Sequence, residues 1–450
     1  MGAHQAVAID ERELLRLLRA TAAELGVHAW IVGGYVRDKL LGRPHPNPDV
    51  VVEKGDAPAL ARRFAALSGA RPPVIFERFG TAQVSLPGRL VEFVTARAES
   101  YRAESRKPDV TAASLDEDLR RRDFTINTLL MDFDGNVEDR LGAKGDLEAG
   151  IIRTPADPPQ TFADDPLRML RAVRFAAELG FDLAPNLMPA MRELRGRLAP
   201  PVISVERISD ELRKMLASPR PKLALELLDE AALLEVIVPE LIPCKGVPQG
   251  GYHTHDVFGH TLLTVQATPP DLLLRVAALF HDIGKPQTAR GDGTFVGHEN
   301  VGADIAHAAL ERLRFSQHEI DVVTGLIRLH LRPVYYGPEW TDGAVRRLAR
   351  DAGPWLDRLI ALARADIAAS AYPNAAKLDE LQARLEAVLQ ERPSRLEPVV
   401  TGDDIMRLLR IQPGPEVGRI KRRLEELVID GELPADKQAV LEYLSDHPGL

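Results

Sequence analysis

The chain has 450 residues, with 57 lysines and arginines against 66 aspartates and glutamates, a net charge of −9, and 45% hydrophobic residues. This balance is that of a globular protein and excludes a disordered or a membrane-embedded chain. Because no apolar run approaches the roughly 18 to 20 residues of a membrane helix, and residues 1–20 lack a signal-peptide pattern, we expect a cytoplasmic protein with no membrane partner.

The first 150 residues are predicted to form a mixed sheet with flanking helices. Residues 10–26 repeat leucine at helical spacing and end in glycine, which indicates an amphipathic helix. Short β-branched or apolar runs then predict strands at 28–32, 49–53, 74–79, 81–86 and 89–96. The fold class expected is therefore α+β.

Beyond Phe162 the pattern is helical and stays so. Helices are predicted at 165–180, 186–197, 204–217 and 221–233, and the Pro/Gly-rich stretch 239–251 is the predicted linker. The chain then divides into four expected domains: a sheet domain at 1–150, a helical neck at 151–240, a histidine-rich helical domain at 251–385 and a helical tail at 398–450.

A first candidate site follows the strand that ends at Val32. Gly33 and Gly34 at the start of a helix offer backbone N–H groups to a phosphate, and Arg37 could add a charge-assisted contact, although an ordinary tight turn has the same pattern. On the next strand we expect Asn47 and Asp49, two residues apart, to share a face.

Oxygen ligands on one strand suit Mg²⁺, and Glu92 on a neighbouring strand is the candidate third ligand. A solvated surface residue explains Glu92 alone equally well.

A second candidate site lies among the histidines. Eight of the 12 histidines fall between residues 253 and 330, where an even spread would place about two. With one cysteine in the chain, Cys244, a zinc site built on paired cysteines is excluded and a metal would be bound by histidine and carboxylate. The candidate metal ligands are His260, His281, Asp282, His298, His330 and Asp366. Taken singly, each histidine is more often structural, and His253, His255, His307 and His318 are assigned to that class.

Several segments together resemble one family. IVGGYVRDKLLGRPHPNPDVVVE (31–53), LRRRDFTINTLLMD (119–132), DDPLRMLRAVRFAAELGF (164–181) and ISVERISDELRKML (203–216) are similar to bacterial class II tRNA nucleotidyltransferases and poly(A) polymerases, in the same order. The resemblance implies a polymerase-β-type head followed by all-α neck, HD and tail domains. It also implies addition of C, A or both to tRNA 3′ ends from CTP and ATP, with Mg²⁺ and without a nucleic-acid template.

The resemblance assigns further residues to the nucleotide. Arg122, Asp123 and Asn127 match positions near ribose and phosphate. A second set, on a predicted helix, matches the positions that select CTP and then ATP: Asp165, Arg168, Arg171 and Arg174. From spacing alone a surface row of ion pairs is favoured there. The segment 95–120 resembles the flexible loop of enzymes that add A, which weighs against a CC-only enzyme.

One position departs from the family pattern. The family has Asp-x-Asp on the metal strand, whereas this chain has Asn47 followed by Asp49. Because asparagine is a neutral and poorer Mg²⁺ ligand, nucleotide transfer should be weakened. An engineered replacement of aspartate is favoured over natural decay of the nucleotidyltransferase half. The two explanations are distinguished by CTP and ATP incorporation in the Asn47→Asp variant, because an engineered replacement predicts a gain of activity.

The histidine-rich region resembles the HD phosphohydrolase superfamily, whose ligand order is kept by His260, His281, Asp282 and Asp366. His298 and His330 match the additional histidines of its two-metal members, and Lys285 the residue that holds phosphate. The resemblance implies Mn²⁺, Ni²⁺, Co²⁺, Fe²⁺ or Mg²⁺, and hydrolysis of a 2′,3′-cyclic phosphate or 2′-phosphate at an RNA end.

The expected partners are the tRNA 3′ end and acceptor arm and nucleoside triphosphates, and a homodimer is left open. Basic residues that could bind RNA phosphates are Arg120, Arg121, Arg122, Arg419, Lys421, Arg422 and Arg423. The last four either bind tRNA phosphates or form a solvated helix face. Two alternatives remain: an RNA-end phosphohydrolase whose transferase half only binds RNA, and a non-catalytic RNA-binding protein.

Overall fold

The computed structural model describes residues 9–77, 80–100, 109–112, 114–252, 254–290, 293–371, 376–391 and 399–450. It divides into two compact units, Met1–Ile237 and Val238–Leu450. Among the helices of these residues, none has the length and apolar character needed to cross a bilayer.

The first unit is built on a seven-stranded sheet. The strands of its described residues, including two short pairs outside the main sheet, are β1 (His28–Val32), β2 (Asp49–Lys54), β3 (Val74–Phe76), β4 (Thr81–Leu86), β5 (Arg89–Thr95), β6 (Arg97–Ser100), β7 (Asp109–Ala112), β8 (Leu130–Met131), β9 (Val137–Glu138), β10 (Ile151–Ile152) and β11 (Asp182–Leu183). The main sheet has the order β3-β4-β5-β2-β1-β8-β9, in which β2 and β5 run parallel and the other neighbours antiparallel. The predicted mixed sheet is confirmed.

The helices of this unit are α1 (Glu11–Leu25), α2 (Gly34–Leu40), α3 (Ala57–Ser68), α4 (Leu115–Arg120), α5 (Ala143–Ala149), α6 (Pro158–Asp164), α7 (Leu167–Leu179), α8 (Leu187–Leu194), α9 (Val205–Ala217), α10 (Pro221–Glu230) and α11 (Leu234–Ile237). Helix α1 begins where the Asp10 carboxylate accepts from the Glu13 N–H at 2.8 Å, and ends at Gly26 with φ 64°. Its predicted bounds are therefore confirmed.

Both faces of the sheet are covered, which explains why β2 is apolar without alternation. Phe64 of α3 packs against Phe93 of β5 on one face, with ring centroids 5.4 Å apart. On the other face, Leu115 of α4 joins the buried cluster that contains Val51. The sheet is thereby held rigidly, with its β1 and β2 ends available to carry polar residues.

The second unit is helical throughout the described residues. Its helices are α12 (Val257–Ala267), α13 (Leu272–Phe280), α14 (Lys285–Thr288), α15 (His298–Arg312), α16 (Gln317–Leu329), α17 (Leu331–Val334), α18 (Asp342–Ala352), α19 (Leu356–Ala368), α20 (Ala376–Glu391), α21 (Gly402–Leu409), α22 (Pro415–Asp430) and α23 (Lys437–Asp446). Helix α13 is buried from Leu274 to Phe280, including its one charged residue Arg275, and packs among α12, α16 and α19. It is the central helix of this unit.

The predicted linker at 239–251 is wrong in its first half. Pro239–Cys244 forms a 3₁₀-helix, in which Leu241 and Cys244 are buried, and the units divide before it, at Ile237. The prolines suggested a loop, but Pro239 occupies the first turn of this helix, a position compatible with proline, and Pro243 lies within the helix. This segment therefore belongs to the second unit.

The tail has its own apolar core, which includes Ile405, Leu424 and Leu444. It is joined to α18 by Arg346, which donates to the Ile429 carbonyl at 2.9 Å, and by the ion pair of Arg347 with Asp430. The tail thus packs on the helical unit to which it is connected in sequence.

Candidate functional site

The turn after β1 lies against the carboxylate of β2. Gly33 has φ 81° and ψ −145°, a conformation that favours glycine, and a Cβ there would lie 3.3 Å from Asp49 Oδ2 and 3.6 Å from Arg122 Nη1. The Gly33-Gly34 turn, Asp49 and Arg122 therefore come together.

Asp49 and Glu92 are partners in the parallel register of β2 and β5. Burial and the neighbouring Glu92 raise the pKa of Asp49 to about 6, against the opposing effect of Arg122. The repulsion between the two carboxylates is relieved when one of them is protonated or when a cation binds to both. The pair could therefore hold a divalent cation.

Asn47 occupies a different setting from the one expected. Strand β2 begins at Asp49, so the argument from a shared strand face does not apply to Asn47, which is exposed. Its amide Oδ1 accepts from the backbone N–H of Leu90 at 2.9 Å. Asn47 therefore ties the segment before β2 to β5 and contributes no charge.

A buried polar chain joins α2 to α7. Arg37 Nη1 donates to Asn127 Oδ1 at 2.7 Å, and Asn127 Nδ2 donates to Asp123 Oδ1 at 2.9 Å. Arg171 Nε donates to Asp123 Oδ2 at 2.9 Å, and despite burial these partners lower the pKa of Asp123 to about 2. Arg37, which the sequence assigned to phosphate, is buried here and also pairs with Asp38.

The predicted nucleotide-selecting residues have unequal exposure. Asp165 precedes α7 and accepts from Arg207 at 3.0 Å, and Arg168 is half-buried. Arg174 is instead buried and pairs with Glu211 at 2.7 Å and Glu178 at 2.8 Å. The opposite side of α7 is core, as predicted, with Leu167, Leu170 and Val173 buried.

Sequence reasoning did not identify Asp118, which holds two of the arginines. This buried carboxylate accepts from Arg121 at 2.7 Å and from Arg122 at 3.0 Å, and these arginines lower its pKa against the effect of burial. The spacing of three and four residues in α4 and the turn after it was the available signal. Part of the predicted flexible loop 95–120 lies outside the described residues; within it, β6 and β7 pair antiparallel.

In the second unit, six predicted ligands from five segments come together. They form two groups of possible metal ligands, His260 with His281 and Asp366, and Asp282 with His298 and His330. His281 and Asp282 follow the central helix α13, and His298 begins α15. The packing of α12, α13, α16 and α19 therefore builds the cluster.

Asp282 lies between the two groups. Its Oδ2 is 3.2 Å from His281 Nε2 and 3.7 Å from His260 Nε2, whereas its Oδ1 is 3.2 Å from His298 Nε2 and 3.8 Å from His330 Nε2. Asp366 Oδ1 lies 2.9 Å from His260 Nε2. One carboxylate thus faces both groups, one oxygen to each.

Backbone carbonyls orient three of the histidine rings through their Nδ1 atoms. The Nδ1 atoms of His281, His298 and His330 lie 2.8, 2.7 and 2.6 Å from the carbonyls of Ala278, Phe295 and Ile327. Their Nε2 atoms are buried without a hydrogen-bond partner among the described residues. Backbone acceptors at Nδ1 and an unused Nε2 are the arrangement of histidines that bind a metal.

The charges of the cluster are strongly coupled. Burial opposes charge on His281, but Asp282 and Asp366 raise its pKa, while burial and His281 lower the pKa of His330 to about 3. The pKa of Asp282 is held well below its usual range by His281 and Lys285, which overcome burial. Lys285 Nζ donates to Asp282 Oδ2 at 2.6 Å, so the predicted phosphate-binding lysine adjoins the cluster.

Three other histidines of the window, His255, His307 and His318, lie apart from this cluster. His255 and His318 are exposed, and His307 faces Glu311 at 3.6 Å with 44% of its side chain exposed. His253 lies outside the described residues.

Comparison with known proteins agrees with this geometry. Residues 29–153 match the poly A polymerase head domain, 180–245 the probable RNA and SrmB-binding site of polymerase A, and 253–369 the HD domain. The A-adding tRNA nucleotidyltransferase of Deinococcus radiodurans is 32% identical over 444 residues, covering 94% of this chain and 96% of that protein. The chain belongs to the tRNA nucleotidyltransferase family.

Other members of the tRNA nucleotidyltransferase family carry different specificities in their names. The CC-adding enzyme of Thermus thermophilus is 34% identical, covering 91% of this chain and 92% of that protein. The solved CCA-adding enzyme of Bacillus stearothermophilus, in complex with CTP, has a TM-score of 0.72 at 26% identity and covers 97% of both chains. The family resemblance, the α+β class and the HD domain predicted from the sequence are confirmed.

Proposed function

We propose that the first unit adds C, A or both to the 3′ end of tRNA from CTP and ATP. The observation that carries this is the convergence of the Gly33-Gly34 turn, Asp49, Glu92 and Arg122, in a chain with full-length A-adding and CC-adding relatives. Asp49 and Glu92 would hold Mg²⁺, which when bound neutralises phosphate charge. Asn47 brings no charge to this site, and its amide oxygen accepts from Leu90, so we expect weak transfer by this chain.

In this proposal the protein side chains bind and select the nucleotide. The backbone N–H groups of Gly33 and Gly34 bind phosphate, and Arg122 provides a positive charge beside Asp49. Asp123, Asn127 and Arg171 hold the ribose side of the pocket, while Asp165 and Arg168 present an acceptor and donors to the base. Arg37 and Arg174 would support the pocket without contacting the nucleotide, because both are buried in ion pairs.

Restoring the family pattern tests this proposal. Asn47→Asp should raise incorporation of labelled CTP or ATP into tRNA lacking its CCA end by at least about tenfold, which corresponds to ~1.4 kcal/mol of transition-state stabilisation. The matched control is Asn136→Asp, a change of the same type in a turn after β8. Equal incorporation by all three proteins would count against the engineered-replacement reading and favour a first unit that only binds RNA.

We propose a second function for the HD unit, hydrolysis of a 2′,3′-cyclic phosphate or 2′-phosphate at an RNA end. The carrying observation is that three buried Nε2 atoms make no hydrogen bond within the described part of the chain and face the Asp282 carboxylate, because imidazole and carboxylate together suit a divalent transition metal such as Mn²⁺, Ni²⁺, Co²⁺ or Fe²⁺, or Mg²⁺. Such an ion activates water at neutral pH. Lys285 would bind the phosphoryl group. Asp282, which faces both groups of possible metal ligands, would hold them in place relative to each other.

Release of inorganic phosphate from RNA with a 2′-phosphate end, in Mn²⁺ or Ni²⁺, tests the second function. His281→Ala should abolish release, whereas His307→Ala, the surface histidine of the same unit, should retain it. The proposal would be contradicted, and a silent HD unit favoured, if the unmodified chain with metal neither released phosphate from the 2′-phosphate end nor opened a 2′,3′-cyclic phosphate end.

The remaining expectations follow from these activities. A tRNA substrate places the chain in the cytoplasm, with the acceptor arm as partner. Arg419, Arg422 and Arg423 are exposed on α22, although Arg423 also faces Glu426 at 3.4 Å. We propose that these residues contact RNA phosphates.

A further inference from the structure

Gln249 lies in the segment before α12 and contacts Lys285 beside the metal-ligand cluster. Lys285 Nζ donates to Gln249 Oε1 at 2.6 Å and to Asp282 Oδ2 at 2.6 Å. Gln249 Nε2 donates to the His255 carbonyl at 3.4 Å. Because lysine can only donate, the amide oxygen must face Lys285 and the amide nitrogen must face the carbonyl.

The segment that carries Gln249 is itself held in place. Asp256 Oδ2 accepts from Gly246 N–H at 2.6 Å, and Val257 N–H donates to the Val247 carbonyl at 3.0 Å. The same Asp256 caps α12, accepting from Gly259 N–H at 2.7 Å. Gln249 is therefore fixed relative to the helix that carries His260.

Lys285 has one N–H left. An ammonium group has three donors, and the acceptors among the described residues are Asp282 and Gln249. The lysine is 7% exposed, and its Nζ lies 5.5 Å from the ring centroid of Phe295, the residue whose carbonyl orients His298. The two acceptors and the ring restrict the ammonium, so the third N–H has a fixed direction.

We infer that Gln249 is a positioning residue, which holds the Lys285 ammonium so that its third N–H donates to a phosphoryl oxygen of the substrate. A neutral amide suits this role, because it accepts a hydrogen bond without neutralising the lysine, as a second carboxylate would. The inference rests on the proposed hydrolysis for the identity of the substrate, but the phosphate contact itself is measured separately.

Phosphate affinity is the primary measurement. Inorganic phosphate is titrated calorimetrically into the full chain loaded with Mn²⁺, for the unmodified protein, Gln249→Leu and Gln249→Glu. Gln249→Leu removes the acceptor at similar size and should weaken phosphate about tenfold, equivalent to ~1.4 kcal/mol. Gln249→Glu should weaken it further, because the added carboxylate repels phosphate and pairs with the lysine.

Two further readouts separate positioning from a structural role. The affinity for Mn²⁺ should stay within about twofold in both variants, and with RNA substrate KM should rise more than kcat falls, since a ground-state phosphate contact is lost. The matched control, Gln317→Leu, changes an exposed glutamine that pairs with Asp321 at the start of α16, and should leave every value unchanged.

The inference is overturned if phosphate binds the Gln249 variants and the unmodified chain equally, or if Mn²⁺ affinity falls as much as phosphate affinity. Failure of the unmodified chain to release phosphate from any RNA end, with normal phosphate binding, would count against the proposed hydrolysis alone. The two failures are thus distinguishable.

Discussion

Asp123 is the residue on which the buried polar chain between α2 and α7 depends. Its carboxylate accepts from Asn127 and Arg171, and its pKa of about 2 in the folded protein lies below the ordinary value of 3.8. A lowered pKa means that the ion pair stabilises the fold above pH 4 and loses this effect as the pH falls towards 2. We therefore expect Asp123→Asn to lower the free energy of unfolding by about 2 kcal/mol at pH 7.

Urea denaturation at pH 7, 4 and 3 checks this prediction, and the difference between unmodified protein and variant should narrow as the pH falls. The matched control is Asp210→Asn, whose carboxylate is 61% exposed and pairs with Lys214. That change should cost less than about 0.5 kcal/mol at any pH. A constant difference across the pH range for Asp123→Asn would contradict the assignment.

Gly33 is a second residue with a local requirement. A Cβ at its φ of 81° would be strained and would lie 3.3 Å from Asp49 Oδ2. In the Asn47→Asp background, Gly33→Ala should reduce CTP incorporation at least tenfold, because the turn and the carboxylate must move apart. Gly34→Ala is the control: its Cβ would meet Arg37 at an ordinary 3.5 Å, so a loss as large as that of Gly33→Ala would contradict the argument.

At the scale of elements, Asp256 links the start of α12 to the segment that carries Gln249. Asp256→Ala removes both hydrogen bonds and should cost about 1 kcal/mol of stability, as lost N-caps do. It should also weaken Mn²⁺ binding several-fold, because α12 carries His260. The control is Asp436→Ala, which uncaps α23 in the tail and should leave Mn²⁺ affinity unchanged. Calorimetric Mn²⁺ titration of both variants decides the matter.

Elements with strong local patterns could be predicted from the sequence, and those that depend on tertiary contacts could not. The leucine spacing and caps of α1 and the apolar run of β2 are local signals, so their bounds were predicted within a residue or two. The two-residue strands β10 and β11 carry no pattern of their own. The same limit applies to side chains: Glu211 of α9 binds Arg174 of α7, which only the folded chain brings near, whereas the partners of Asp118 lie within four residues of it.

At the scale of the whole molecule, the two units should respond to different ligands, because each has its own core and its own candidate site. Mn²⁺ binding at the histidine cluster should slow hydrogen exchange in α12, α13, α15, α16 and α19, since a ligand at 100 times its Kd stabilises the folded state by about 2.7 kcal/mol. Mg²⁺ with CTP should slow exchange in β1, α2 and α7 instead. Chelation with EDTA should reverse both effects.

Hydrogen exchange followed by mass spectrometry measures these responses peptide by peptide. His281→Ala should lose the Mn²⁺ response and keep the CTP response, because the substitution removes one ligand of the histidine cluster and no contact of the nucleotide site. His318→Ala, at an exposed histidine of the same unit, should keep both. Protection by Mn²⁺ that is unchanged in His281→Ala would place the ion elsewhere. A net charge of −9 is compatible with these predictions, because negative charge in both candidate sites lies beside basic side chains: Asp123 accepts from Arg171, and Asp282 accepts from Lys285.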